Sequence, residues 1–142
     1  LRYFFVYGPK QYYGLGYKSV IIKNFQRMIS GRPPIINGDG TQTLDYSFVS
    51  DIIEGSISAM VSDVSTEIFN LGSGKGITII ELTNKMKLIA DFSGETIYAK
   101  PDETAGTARV CDNKKAIHLL GYNPKIDLDE GLRKTYDWMK NV

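Results

Sequence analysis

Gly72-Ser-Gly-Lys-Gly76 is the stretch whose composition comes nearest to a ligand cradle. Glycines ahead of a helix leave backbone N–H groups free for phosphate, and the helix dipole adds to the attraction. The spacing fits neither G-x-G-x-x-G nor G-x-x-x-x-G-K-[ST], so a structural turn is the expectation. Tyr136 precedes Lys140 by four positions, the spacing at which a lysine lowers a tyrosine's pKa in a proton-transfer pair. Residues four apart on any helix are neighbours, and no cofactor motif accompanies these, so a surface pair is expected. His118, among Ile117, Leu119 and Leu120, reads as a packed or solvent-edge side chain. Cys111 has no paired histidine in a recognisable motif and reads as a small buried hydrophobe. Asp39, Asp45 and Asp51 fall in a turn, a strand and a helix cap, which argues against a shared metal.

The hydrophobic pattern defines the elements that must position these residues. Leu1-Arg-Tyr-Phe-Phe-Val-Tyr7 is a nearly continuous aromatic and β-branched run closed by Gly8-Pro9, and it predicts a strand buried on both faces. Gln11 to Tyr17, with Tyr12, Tyr13, Gly14, Gly16 and Tyr17, predicts an irregular loop. Within Lys18 to Ser30, the recurrence of Ile21, Ile22, Phe25, Met28 and Ile29 predicts an amphipathic helix stopped by Gly31 and Pro33. Pro34 to Asn37 predicts a short strand and Gly38-Asp-Gly40 a tight turn. From Thr43 to Val49, Leu44, Tyr46 and Phe48 take one face, with Asp45 and Ser47 on the other. Asp51 and Glu54 are expected to open a helix to about Ser62, and Glu67 to Asn70 a strand. Thr78 and Glu81 form a capping box for a helix carrying Ile79, Leu82, Met86 and Ile89. Thr96 to Ala99 predicts a strand, followed by an irregular stretch to Arg109. Two helices, about Lys114 to Leu120 and Leu128 to Lys140, end the chain. Mixed strands and helices without an internal repeat define an α/β chain, a mixed α+β piece rather than a full doubly wound sheet.

Composition narrows the functions. With 142 residues, 42% hydrophobic and 23% charged, the chain is one globular unit, and disordered and fibrous classes are excluded. Seventeen basic against sixteen acidic side chains give a net charge of +1, which excludes a basic footprint for nucleic acid or anionic membrane. A single cysteine excludes an internal disulfide framework and suits a reducing cytoplasm. No run reaches the roughly 20 apolar residues of a membrane span. The first residue is Leu1 inside an apolar run, so the chain is expected to begin within a longer protein.

Leu1-Arg-Tyr-Phe-Phe-Val-Tyr-Gly-Pro-Lys-Gln11 resembles the Leu-Arg-x-x-Asn-Val-Tyr-Gly-Pro-Arg-Gln segment of extended short-chain dehydrogenases, the NAD-dependent epimerase/dehydratase family. Further matches follow in that family's order. They are Gly38-Asp-Gly-Thr-Gln-Thr-Leu-Asp-Tyr46, Phe48-Val-Ser-Asp51, Phe69-Asn-Leu-Gly-Ser-Gly74, Asp112-Asn-Lys-Lys-Ala116, Leu120-Gly-Tyr-Asn-Pro124 and Glu130-Gly-Leu-Arg-Lys-Thr-Tyr-Asp-Trp138. The resemblance is to the C-terminal half of these enzymes. It implies the last strands of a Rossmann sheet over residues 1–11, joined to a small mixed substrate domain, in one unit spanning 1–142. It implies NAD as cofactor, held mainly by an N-terminal Rossmann domain that also carries the catalytic Tyr-x-x-x-Lys, so no catalytic residue is expected here. Such enzymes oxidise a sugar hydroxyl with bound NAD, then epimerise, dehydrate or reduce the ketone. A UDP-glucose 4-epimerase-like activity is the closest match. A GDP-sugar epimerase–reductase, a 4,6-dehydratase and a non-catalytic binding module are the alternatives. The full-length enzyme is expected to be a homodimer, and the isolated chain inactive.

Position by position, the resemblance places Phe4 beside the nicotinamide, and Phe5 where the family has a substrate-contacting asparagine. Ser19 and Val20 start the helix that meets the diphosphate. Ile35, Ile36 and Asn37 form the strand that flanks the base, Asn37 standing where an aromatic often stacks. Leu44 replaces an arginine that commonly grips a phosphate. Lys100 stands where a second arginine is usual and cannot form its bidentate fork. Arg109, Lys18 or Lys75 are the cations available to compensate, because a buried diphosphate must be paired.

Overall fold

The chain forms β1 (Arg2–Tyr3), β2 (Val6–Tyr7), α1 (Val20–Ile29), β3 (Ile35–Asn37), β4 (Thr43–Leu44), β5 (Ser47–Phe48) and α2 (Val49–Val61). There follow β6 (Asn70–Leu71), β7 (Ile77–Thr78), α3 (Ile79–Ile89), β8 (Ile97–Ala99), β9 (Ala108–Arg109), α4 (Lys114–Leu120) and α5 (Leu128–Lys140). These come from a computed structural model that describes residues 1–12, 14–16 and 18–142. The expected loop over Gln11 to Tyr17 includes Tyr13 and Tyr17, which lie outside the described residues.

Local chemistry explains the helix starts. Ser19 accepts the Ile22 N–H at α1, and Asp127 accepts the Glu130 N–H at α5. At α3 the reciprocal Thr78–Glu81 box forms as the spacing predicts. α1, α3 and α5 pack on one another and bury Ile21, Ile22, Phe25, Leu82, Met86 and Leu132, with Ile36 of β3 and Phe48 of β5 closing the cluster. A second cluster joins Ile52 of α2 to Phe69, Leu71, Ala116 and Tyr122. Burial of one such side chain is worth about 1.5–3 kcal/mol, so the helical triangle is the stable frame.

Among the described residues, β1 pairs with β6, β2 with β5 and β3 with β8, all in parallel. β4 pairs antiparallel with β7 and parallel with β9. Parallel ladders between distant segments, with helices between them, bear out the mixed α/β reading.

Three local expectations need correction. The opening run is two short strands, bent at Phe5 (φ +28°), with Leu1, Arg2 and Tyr3 exposed. Among the described residues β1 pairs with β6 alone, which leaves its second edge open. The alternation over 43–49 holds, Asp45 and Ser47 opposing Leu44, Tyr46 and Phe48, with both fully buried beneath the 72–74 turn. Asp51 is no cap: α2 begins at Val49, and the Asp51 carboxylate accepts the Ile126 N–H at 3.1 Å from inside the first turn. The stretch before Arg109 contains β9, a strand formed by pairing with distant β4 rather than by its own periodicity.

Candidate functional site

A cleft of about 680 Å³ opens between the start of α1, the C-terminal end of β3 and the strap of residues 100–107 that joins β8 to β9. One wall carries Lys18, Ser19, Val20 and Lys23, and the opposite wall Ile35 and Asn37. Phe5, Tyr7, Leu44, Tyr46 and Ile79 line the floor, and Asp102 and Thr104 reach in from the strap. A crevice at the carboxyl ends of parallel strands is where open α/β folds hold ligands.

Buried hydrogen bonds fix the walls. Asn24 of α1, fully buried, donates Nδ2 to the Ile35 carbonyl at 3.0 Å and accepts the Ile35 N–H at 2.9 Å. That pair clamps β3 to α1 and sets the width of the cleft. Ser19 donates to Gln11 Oε1, and Gln11 Nε2 donates to the Val6 carbonyl, so the α1 cap is tied to β2. Gln42, also buried, donates Nε2 to the Asn37 carbonyl at 3.0 Å, while its Oε1 is buried with no partner among the described residues. Lys18 donates to Gln26 and runs along α1. Lys23 sits close enough to Asp102 to help hold that carboxyl below its ordinary value, after hydrogen bonds from Thr104 and Asn37.

The sequence-derived residues divide. Ser19, Val20, Ile35 and Asn37 come together around the cleft. Ile36, between two of them, alternates away and anchors β3 in the core. Phe4 lies at the break between β1 and β2, its N–H donating to the Leu71 carbonyl, and is no part of the cleft wall. Lys100 is exposed, and Arg109 donates Nη2 to the Glu103 carbonyl at 3.2 Å, bracing the strap from outside the cleft lining. Leu44 is buried in the floor beside Arg109, its β9 register partner. Gln42 and Asp102 also line the cleft, and neither is among the residues expected from the sequence. Gln42 is in phase with Leu44 and Tyr46, and that period of two was a usable signal for its inward direction. Asp102-x-Thr104 has the local signature of an Asx turn, but its contact with Asn37 spans 65 positions and left no trace in either segment.

The other chemical candidates resolve structurally. The 72–76 turn is occupied by the chain itself. Asp45 accepts the Ser73 N–H at 3.0 Å, the Ser73 hydroxyl at 2.6 Å, the Gly74 N–H at 2.8 Å and the Cys111 N–H at 3.1 Å. A Cβ on Gly72 would meet Cys111 Cβ at 2.5 Å, and Gly74 sits at φ +76°, so both glycines serve this closure. The turn therefore does not fit a dinucleotide phosphate. Burial, then Asp45 and Asp112, push the Cys111 thiol up to about 12, which keeps it inert. Lys140 Nζ lies 5.7 Å from the Tyr136 ring centroid and that ring packs on Phe25, a packing arrangement rather than a proton relay. His118 is exposed. Among the described residues no cluster of His, Cys, Asp or Glu could hold a metal, and no helix is long and apolar enough to cross a membrane.

A mixed α/β scaffold with a cleft between a helix N-terminus and parallel strand ends defines the general class. The sequence profile of the NAD dependent epimerase/dehydratase family matches residues 1–72, and the chain belongs to that family. It is 40% identical over 141 residues to a provisionally named UDP-glucose 4-epimerase of Methanocaldococcus jannaschii, covering 99% of this chain and 45% of that one. It is 34% identical to a UDP-glucuronate 4-epimerase of Thermodesulfobacterium geofontis, covering 99% of this chain and 42% of the relative. The solved UDP-glucose 4-epimerase of Thermotoga maritima with UDP-glucose superposes with a TM-score of 0.93 at 34% identity, over 99% of this chain and 45% of that one. The chain thus spans less than half the length of the relatives it matches, and its architecture is that of the corresponding part of Rossmann-fold epimerases.

Proposed function

We propose that the chain is the C-terminal, nucleotide-sugar-binding part of an NAD-dependent sugar-nucleotide 4-epimerase, UDP-glucose 4-epimerase-like. It acts with an N-terminal Rossmann domain of the same protein, in a homodimeric enzyme of the cytoplasm. The observation that carries this reading is the pairing, across one cleft, of the α1 N-terminus with the end of β3. Ser19 and Val20 present free N–H groups and the positive helix end to the diphosphate, with Lys23 as its cation. Ile35 and Asn37 flank the base, and Ile36 holds that strand from behind. Lys100 and Arg109, at the two ends of the strap, meet the exposed side of the phosphates. Phe4 offers backbone to the nicotinamide end of NAD, while the rest of the cofactor belongs to the N-terminal domain, since the 72–74 turn is filled by Asp45.

The division of labour has a direct test. UDP should bind the chain in calorimetry, whereas incubation with NAD and UDP-glucose or UDP-galactose should give no product. Turnover by the chain alone would overturn the division, and absence of UDP binding would overturn the cleft. Leu44 in place of a phosphate-gripping arginine favours a second reading, a binding module without a catalytic partner. It predicts that the longer protein also fails to interconvert UDP-glucose and UDP-galactose.

A further inference from the structure

Asn37 is held from two sides. Gln42 Nε2 donates to its carbonyl at 3.0 Å, and its own Nδ2 donates to Asp102 Oδ2 at 2.8 Å. Its Oδ1 has no partner among the described residues, and the side chain lines the cleft. Asp102 is fixed in turn by Thr104, whose N–H and hydroxyl donate to Oδ1 at 2.8 and 2.6 Å. A carboxylate only accepts, so turning the Asn37 amide over would set Oδ1 against Asp102, oxygen against oxygen.

A free asparagine amide is ambidextrous, because a half turn swaps its donor and its acceptor. It can therefore serve either of two inverse base edges. Uracil, thymine and guanine present a ring N–H beside a carbonyl, whereas cytosine and adenine present a ring acceptor beside an amino group. We propose that Asp102 is a positioning residue that locks the Asn37 amide in one orientation, so that the cleft discriminates between these two inverse edges; with the UDP-sugar proposed above as substrate, the favoured edge is a ring N–H beside a carbonyl. The proposal rests on the assignment of Asn37 to the base wall, and the departure from an aromatic at this position gives it its reason: a stacking ring tolerates every base, an oriented amide does not.

UDP and CDP match in size and charge and differ in this edge, so they are the probes, with inorganic pyrophosphate as the base-free control. Calorimetry on the chain should show UDP preferred over CDP by about tenfold or more, the discrimination of one good bidentate pair. Asp102→Ala should bring that ratio to about threefold or less while pyrophosphate binding is unchanged. Asn37→Ala should do the same, and the double variant should lose nothing further, as expected for residues acting as one unit. Thr104→Ala, which loosens the carboxylate without removing it, should give an intermediate ratio and guards against a collapsed strap. A UDP-to-CDP ratio unchanged in Asp102→Ala, or UDP, CDP and pyrophosphate all weakened alike, overturns the lock and leaves the cleft standing. Wild-type chain that binds no UDP overturns both.

Discussion

The side of the molecule around α1, α3 and α5 and the side formed by β1 and α2 draw on the same residue types and end differently. Phe25, Ile21 and Leu82 are fully buried at the first, whereas Ile53, Ile57, Met60 and Val61 stand exposed along one stripe of α2, Met60 at 77%. Tyr3 of β1 and Leu1 just before it are exposed, and the Tyr3 hydroxyl meets Ser56 of α2, so the two exposed segments adjoin. Spacing is not the cause, since positions 53, 57, 60 and 61 follow a helical period as regular as that of α1. The difference is that α1 meets α3 and α5 of its own chain, while α2 packs toward α4 on the side of Ile52 and leaves its outer stripe exposed. The lesson is that an apolar period specifies a face, and the partner for that face need not lie in the same segment of chain. Under the function proposed above, the partner is the N-terminal Rossmann domain, which would also cover β1, because parallel sheets are buried on both faces.

The contrast predicts an ordered set of losses. Phe25→Ala should cost about 3–5 kcal/mol in urea denaturation, the range for emptying a tight core site. Ile57→Ser, on the exposed stripe, should change stability of the isolated chain by about 0.5 kcal/mol or less. A comparable loss at both sites would abolish the distinction. Asp45→Asn should cost about 1.5–3 kcal/mol, because several donors around a buried carboxylate lose a charged acceptor at once. Lys23→Ala should weaken UDP binding about tenfold, equivalent to roughly 1.4 kcal/mol, and Arg109→Ala, from outside the cleft lining, by less. Ser19→Ala should cost about 1 kcal/mol of stability through the lost cap. The smallest effect concerns acidity. Asp102 has a depressed folded pKa, so its contribution is present above the unfolded value near 3.8 and lost as pH falls through the lower folded one. The Asn37 side-chain amide resonance, followed by NMR, should stay constant at neutral pH and shift only below about that value; movement between pH 5 and 7 would contradict the assignment.

What the sequence makes legible follows the reach of each signal. α4 and α5 stand where their boundaries are predicted, and the α3 capping box is a reciprocal contact between residues three apart. Such local chemistry needs no knowledge of the fold. Alternation over 43–49 names the direction of Asp45 and Ser47 but not what lies beyond them, so it cannot distinguish solvent from a buried turn. Half of the cleft wall, Ser19 and Asn37, is legible because it lies between two ordered motifs, Leu1–Gln11 and Gly38–Tyr46, that the resemblance aligns. The strap is not. Lys100 and Arg109 read as phosphate cations from their types, yet β9 faces Arg109 outward toward the Glu103 carbonyl, an outcome set by pairing with β4 far away in sequence.

The Asp45 carboxylate within the 72–74 turn has a consequence for exchange with solvent. The Ser73, Gly74 and Cys111 amide hydrogens all end on one side chain that is itself shut away from water. Their release to deuterium requires the β4–β5 segment carrying Asp45 to part from the turn, an opening of the core rather than a flicker of a loop. These amides should therefore exchange on the slow timescale of the helical triangle, with or without nucleotide present. A glycine-rich turn of this kind behaves as a permanently loaded receptor, whose ligand is supplied by the same chain 28 and 29 positions before the turn's two donors.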